Sequence, residues 1–284
     1  MKLLRYGPKG EEKPGLLDDD GRIRDLSGTI DDVDGRFLAN GGIERLARLD
    51  VSSLPVVEGR PRLGPPVGRI GKLVCIGLNY ADHAAESNLP LPPEPIIFMK
   101  ATSSIVGPND EVEIPKDSRH TDWEVELGIV IGRRAKYVDE ANALDCVAGY
   151  CIVNDVSERH FQAERQGQWT KGKSHDTFAP IGPWLVTRDE VPDPGNLKMW
   201  LEVDGHRYQD GSTATMVFKT AFLVSYLSRF MTLEPGDVIP TGTPPGVGMG
   251  QKPKVFLKPG QEMRLGIEGL GEQRQRTVQA GQDG

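Results

Sequence analysis

The run Asp122-Trp-Glu-Val-Glu-Leu-Gly-Ile-Val-Ile-Gly132 constrains this chain more than any other segment. It begins as alternation of period two, the pattern of a strand, in which residues two apart share a face. From Leu127 to Ile131 it becomes continuously apolar, as in a strand covered on both faces. Glu124 and Glu126 then share one face of a strand that enters a core, while Trp123, Val125 and Leu127 share the other. Adjacent carboxylates in such a place repel each other and lose their hydration, at an idealised cost on the order of 20 kcal/mol per ion. A fold that buries them has to bring positive charge to them. The alternative is a solvated pair of glutamates facing Arg133 or Lys136.

Other short apolar runs surround this one. Leu73 to Leu78, Ile96 to Lys100 and Gly149 to Asp155 read as strands, and Met199 to Gln209 reads as a hairpin turning at Asp204-Gly205. The best helix spans roughly Thr220 to Phe230 and stops before Pro235-Gly236. Strands outnumber helices and do not alternate with them, which argues against a doubly wound sheet or a TIM barrel. The expected fold class is a mixed, strand-rich roll or sandwich preceded by a small N-terminal α+β module. That module, residues 1–67, holds a hairpin around Asp19-Asp20-Gly21 and helical spacing from Asp34 to Leu49, then a Pro/Gly-rich linker. Residues 68–284 form the expected catalytic domain.

The bulk chemistry excludes several classes. A formal net charge of -7 without a dense Lys/Arg run argues against nucleic acid as a partner. No apolar run reaches membrane-spanning length, and the N-terminus lacks a signal-peptide core, so a cytoplasmic location is the expectation. The 3 cysteines, Cys75, Cys146 and Cys151, form no C-x-x-C pair and sit among apolar residues, so neither disulfides nor a thiolate zinc site is expected. Gly167 to Ser174 matches G-x-x-x-x-G-K-[ST] in letters only, because no buried strand precedes it and His175 to Pro183 does not continue as a helix.

Three groups of residues carry candidate chemistry. Asp155, at the end of a second buried strand, joins Glu124 and Glu126 as an oxygen-only ligand set suited to Mg²⁺ or Mn²⁺. His83 and Glu86 stand three apart in a helix-compatible turn after Leu73 to Leu78, where a carboxylate on one imidazole nitrogen raises the basicity of the other. Arg159 and Gln162, four and seven residues after Asp155, fall on its face if the segment is helical, and with Lys173 they supply groups for an anion or oxyanion. The glycines of Thr241 to Gly250 allow a close backbone approach to a ligand. Taken singly, each group also reads as ordinary surface charge or a loop.

Six motifs occur in order: G-x-N-Y-x-x-H-x-x-E from Gly77, P-x-x-F-x-K from Pro95, E-x-E-L-x-x-V-I-G from Glu124, N-D-x-x-x-R-x-x-Q from Asn154, Lys173-Ser174, and G-D-x-I-x-T-G-T-P-x-G-V-G from Gly236. Together they resemble the fumarylacetoacetate hydrolase family over roughly Arg69 to Val278. The resemblance implies a strand-rich roll, a homodimer, and metal-dependent cleavage of the C3–C4 bond of a 2,4-diketo acid to pyruvate and a second acid. It implies Glu124, Glu126 and Asp155 as metal ligands, His83 and Glu86 as the water-activating pair, and Lys173 as the catalytic lysine. Arg159, Gln162 and Thr243 are the implied substrate contacts. Ile76 stands where the founding members carry a further ligating Asp, which implies the shorter, bacterial-type branch. The whole chain is similar to members acting on 2,4-diketo-3-deoxy-sugar acids such as those derived from L-rhamnonate or L-fuconate. Oxaloacetate decarboxylation, 2-keto acid tautomerisation and ureidoglycolate cleavage are alternatives on the same site. A metal-stabilised binding module is the alternative of another class. Ser87 to Pro95, polar and then Pro-rich, is the expected lid.

Overall fold

The computed structural model describes residues 1–86 and 90–281. A ten-stranded mixed sheet forms the centre. In spatial order its strands are Ile23–Asp25, Lys13–Leu17, Lys2–Tyr6, Ala179–Thr187, Val147–Asn154, Val125–Ile131, Val238–Pro240, Leu73–Gly77 and Ile96–Lys100, and Ile105–Val106 also pairs with Ala179–Thr187. The chain leaves Ile96–Lys100 and within a few residues pairs on the far side of the sheet, which curls it into a roll. A second sheet, His206–Ser212, Lys198–Val203, Glu262–Ile267, Gly271–Gln279 and Val112–Ile114, packs against it. The mixed, strand-rich fold class is the one expected.

Every residue of Val125–Ile131 and Val147–Asn154 is buried. Val125, Leu127 and Ile129 share a core with Leu201, Met263 and Leu265 of the second sheet. Buried amides join the two layers: Gln209 Oε1 accepts from Val125 N at 2.9 Å, and Gln273 Nε2 donates to Ile152 O at 2.9 Å. Each satisfies a backbone group the sheet ladder leaves over.

The N-terminal residues extend the central sheet rather than sitting beside it. Lys2 pairs with Val186 and Leu3 with Leu185, and Leu3, Leu16 and Leu26 pack with Val130, Cys151 and Val153. The expected hairpins form between Lys13–Leu17 and Ile23–Asp25 and between Lys198–Val203 and His206–Ser212. The expected helix is Thr220–Phe230. Helical spacing from Asp34 to Leu49 resolves into two short helices, Gly35–Ala39 and Gly42–Leu46, because Gly41 between them takes a left-handed φ of 66°. All three cysteines are free and buried.

Candidate active site

Strand register assembles the site. Val125–Ile131 runs antiparallel to Val147–Asn154 with Val125 opposite Asn154, and Asp155 N donates to Glu124 O at 2.9 Å. Glu124 and Glu126, at the start of one strand, thereby meet Asp155 at the end of the next. Val238–Pro240 flanks the other side, and its continuation brings Gly242 N to 2.9 Å from Glu126 Oε2. Leu73–Gly77 runs parallel to Val238–Pro240 and ends at the same edge. Leu78, with φ of 51°, turns the chain there, and Asn79 locks the turn by donating to Phe218 O and Thr241 O at 3.0 and 2.8 Å. The helix Ala81–Glu86 follows and carries His83 and Glu86.

One carboxylate oxygen from each of Glu124, Glu126 and Asp155 lies within 4.8 Å of the others, and all three residues are buried. Buried cations surround them. Lys173 Nζ donates to Glu124 Oε2 at 2.8 Å and Asp155 Oδ2 at 2.9 Å. Lys100 Nζ donates to Asp155 Oδ1 at 2.5 Å and to Val156 O at 3.0 Å. Arg159 reaches Glu124 Oε1 at 2.7 Å and Asp122 Oδ2 at 2.8 Å. Burial would raise the Glu124 carboxyl, but Lys173 and Arg159 override it and hold the group below the ordinary carboxylate range. Burial would likewise depress Lys173, yet Asp155 and Glu124 raise it above an ordinary lysine.

Glu126 is different. Among the described residues no lysine or arginine pairs with it, and the hydrogen bond recorded to it comes from Gly242 N. Burial, then Asp155, then Glu124 push its carboxyl well above the usual range. An unpaired buried carboxyl in a cluster that offers oxygen atoms only fits a hard divalent cation such as Mg²⁺ or Mn²⁺, which would take the place of the proton. Zinc of the Cys/His type does not fit this donor set.

His83 Nδ1 lies 3.1 Å from Glu86 Oε2, as the three-residue spacing predicts. Gly246 N donates to Glu86 Oε1 at 3.0 Å, so the glycine-rich loop orients the carboxylate that orients the imidazole. The pair, the two glutamates, Arg159, Gln162 and Lys173 all line one cavity of about 680 Å³.

Two sequence expectations change in detail. Arg159 and Gln162 were expected on one helix face with Asp155. Instead a short strand, Ser157–Glu158, intervenes and a π-helix, His160–Glu164, follows. Arg159 still meets Gln162, at 3.2 Å, but its Nε and Nη1 are taken up by Asp122, Glu124 and Gln162. Its Nη2 is buried without a partner, an unmet donor suited to an anionic ligand. Thr243 lines the cavity, but its hydroxyl donates to Val125 O at 2.9 Å and accepts from Gln209 Nε2 at 2.8 Å. Of the expected lid, residues 87–89 lie outside the described residues. Farther along the same segment, Glu94 Oε2 accepts from the Tyr226 hydroxyl at 2.6 Å.

Sequence reasoning passed over Lys100, Asp122, Phe98 and Trp169. Lys100 stood in a quoted motif, yet an apolar strand gives no sign that its last residue turns inward to a carboxylate. Asp122 accepts from Gly248 N and Met249 N at 2.6 and 2.9 Å as well as from Arg159, and so ties the glycine-rich loop to the carboxylate cluster. Its position beside Glu124 was the one available hint.

The family profile described as Fumarylacetoacetate (FAA) hydrolase C-terminal matches residues 72–278. A Burkholderia orbicola (strain MC0-3) protein, whose name goes no further than hydrolase, is 67% identical over 281 residues, which is 99% of this chain and all of that protein. The solved fumarylacetoacetate hydrolase of Exiguobacterium antarcticum superposes with a TM-score of 0.88 at 36% identity, covering 98% of this chain and 99% of that one. Maleylpyruvate hydrolase from Sphingobium sp. SYK-6, solved with manganese(II) and pyruvate, superposes at 0.83 with 28% identity and the same coverage. With the motifs, the strand register and these similarities in agreement, the chain belongs to the fumarylacetoacetate hydrolase family.

Proposed function

We propose that this protein hydrolyses the C3–C4 bond of a 2,4-diketo acid, with Mg²⁺ or Mn²⁺ held by Glu124, Glu126 and Asp155. The carrying observation is that Glu124, Glu126, the His83–Glu86 pair and Lys173 line one cavity, with Asp155 buried against the two glutamates behind them. When bound, the metal supplies Lewis acidity toward a 2-keto acid. His83, steadied by Glu86, takes a proton from water, whose oxygen attacks C4. Lys173 supplies positive charge where the C4 oxyanion develops, and Gln162 stands beside it as a further donor. The C3–C4 electron pair then passes to C3 as an enolate. Protonation at C3 yields pyruvate, and the acyl group leaves as the second acid. Arg159 Nη2 is the remaining donor proposed for a substrate oxygen, and Thr243, whose hydroxyl is engaged by Val125 and Gln209, is proposed as a wall contact to the substrate.

A 2,4-diketo-3-deoxy-sugar acid is the substrate proposed on whole-chain similarity. The protein is proposed to act in the cytoplasm as a homodimer. Residues 1–67 are proposed as a module that serves the catalytic part by completing its sheet and core. Among the described residues no helix is long and apolar enough to cross a membrane.

The test is pyruvate release from a panel of 2,4-diketo acids with Mn²⁺ or with EDTA, run beside oxaloacetate. Metal-dependent release of pyruvate with the matching acid is expected. Turnover of oxaloacetate alone would replace hydrolysis by decarboxylation, a reaction that needs no attacking water.

A further inference from the structure

The cavity has an aromatic wall that the chemistry above does not use. Phe98 and Trp169 both line it, edge to face, with ring centroids 5.2 Å apart and planes at 62°. Phe98 in turn faces the Lys173 ammonium, which lies 5.0 Å from the ring centroid. Trp169 also rests against Gly77. A Cβ placed on Gly77 would stand 2.8 Å from Trp169 Cζ3 and 3.0 Å from Cη2. Gly77 is absent from the glycines with left-handed φ, so the position is open for space rather than for a turn. The backbone of Trp169 is fixed as well: its carbonyl accepts from Gly172 N at 2.9 Å and Lys173 N at 3.1 Å, closing the turn that presents Lys173. The ring is thus placed by a neighbouring ring, by its own backbone turn and by the space that Gly77 leaves, and it presents a shaped apolar wall to a ligand.

We propose that Trp169, seated on Gly77 and braced by Phe98, is the specificity-determining residue for the acyl arm that leaves with C4. The ring sets the width available beyond C4, so the enzyme accepts an arm with a single branch next to that carbon, as in a 2,4-diketo-3-deoxy-sugar acid, and discriminates against a fully substituted carbon there. The proposal rests on the hydrolase reading for the identity of the arm, but the two fail separately. It also makes a signed prediction. Trp169→Ala widens the site, whereas Gly77→Ala drives the ring into it, so the two substitutions shift selectivity in opposite directions.

The experiment uses Mn²⁺-loaded enzyme and two substrates. Acetylpyruvate carries a methyl arm, and 5,5-dimethyl-2,4-dioxohexanoate carries a tert-butyl arm. A few methyl groups in an apolar pocket discriminate by about 10–200-fold. Trp169→Ala is therefore expected to move the ratio of kcat/KM tenfold or more toward the branched substrate, mostly through KM, and Gly77→Ala is expected to move it toward the methyl one. Trp169→Phe, which keeps a ring and guards against a variant that does not fold, should fall between wild type and Trp169→Ala. Equal losses on both substrates in all three variants would mean a structural role only and would overturn the proposal. If the wild type cleaves neither of these acids nor any other 2,4-diketo acid of the panel above, the hydrolase reading fails. The wall is then tested by titration calorimetry of the same two acids into wild type and variants: opposite shifts in relative affinity sustain it, and an unchanged ratio removes it.

Discussion

Glu126 and Glu124 share a strand face two residues apart, yet their surroundings drive them in opposite directions. Glu124 meets Lys173 and Arg159, whereas the contact recorded for Glu126 is Gly242 N. For Glu126 the folded chain favours the proton, and the unfolded chain releases it above the ordinary value of 4.5. The metal-free protein thus loses Glu126's contribution to stability as pH rises from that value through the raised one. Glu124, held low, contributes in the other sense: its stability is present above 4.5 and is lost as pH falls below it. Unfolding of the EDTA-treated protein should show the Glu126 loss as pH rises above 4.5, and Glu126→Gln should flatten it while weakening Mn²⁺ binding at least tenfold by calorimetry. A Gln variant that binds Mn²⁺ as tightly as wild type would remove Glu126 from the ligand set. Lys173→Met leaves Glu124 with Arg159 alone and Asp155 with Lys100 alone. Breaking a buried ion pair costs about 3–5 kcal/mol, so a clear fall in Tm should accompany lost turnover.

At the scale of elements, the helix Ala81–Glu86 and the loop through Gly250 work as one unit. A Cβ on Gly250 would stand 2.7 Å from the Glu86 carboxyl carbon and 2.8 and 2.9 Å from its oxygens. Gly250→Ala is therefore expected to push Glu86 away from His83. Loss of an oriented general base costs about 10²–10⁴ in rate. The expected result is a fall in kcat toward that range with Mn²⁺ affinity held within threefold, because the triad lies on other elements. His83→Ala should give a similar kcat and the same metal affinity. If Gly250→Ala were to retain full kcat, the loop would not be what orients the pair. The helix and its three-residue spacing were legible in the chain itself, since i and i+3 positions are neighbours on any helix. The loop's hold on Glu86 was not, because 160 residues separate Gly246 from Glu86.

Over the whole molecule, the three N-terminal strands continue the central sheet beyond Ala179–Thr187. Their apolar residues Leu3, Leu16 and Leu26 are fully or almost fully buried in the core that also holds Leu185 and Val130. A chain beginning at residue 68 would expose that face and leave a long strand edge unpaired, a surface prone to association. Such a truncated protein is expected to aggregate or bind a hydrophobic dye on size-exclusion and fluorescence analysis. A soluble, cooperatively melting product with unchanged Tm would instead make residues 1–67 an accessory. Metal binding should stabilise the intact protein by about 2.7 kcal/mol at a hundredfold excess over Kd, read as a rise in Tm over the EDTA-treated sample.

What the chain by itself determined was local or carried by ordered motifs. Strand periodicity marked Glu124 and Glu126 as one face and Trp123, Val125 and Leu127 as the other. Helical spacing joined His83 to Glu86, and the scarcity of helices between strands indicated a roll. Only the tertiary structure decided which strands lie side by side, and with them the register that sets Asp155 against Glu124. It alone turned Lys100 inward, gave Asp122 its hold on the glycine-rich loop, and seated Trp169 on Gly77. The division has a physical cause. Periodicity reports which way a side chain points from its own backbone, but burial of charge and packing of rings are settled by partners distant in sequence. Lys100 and Asp155, 55 residues apart, acquire a common role only once the sheet has curled.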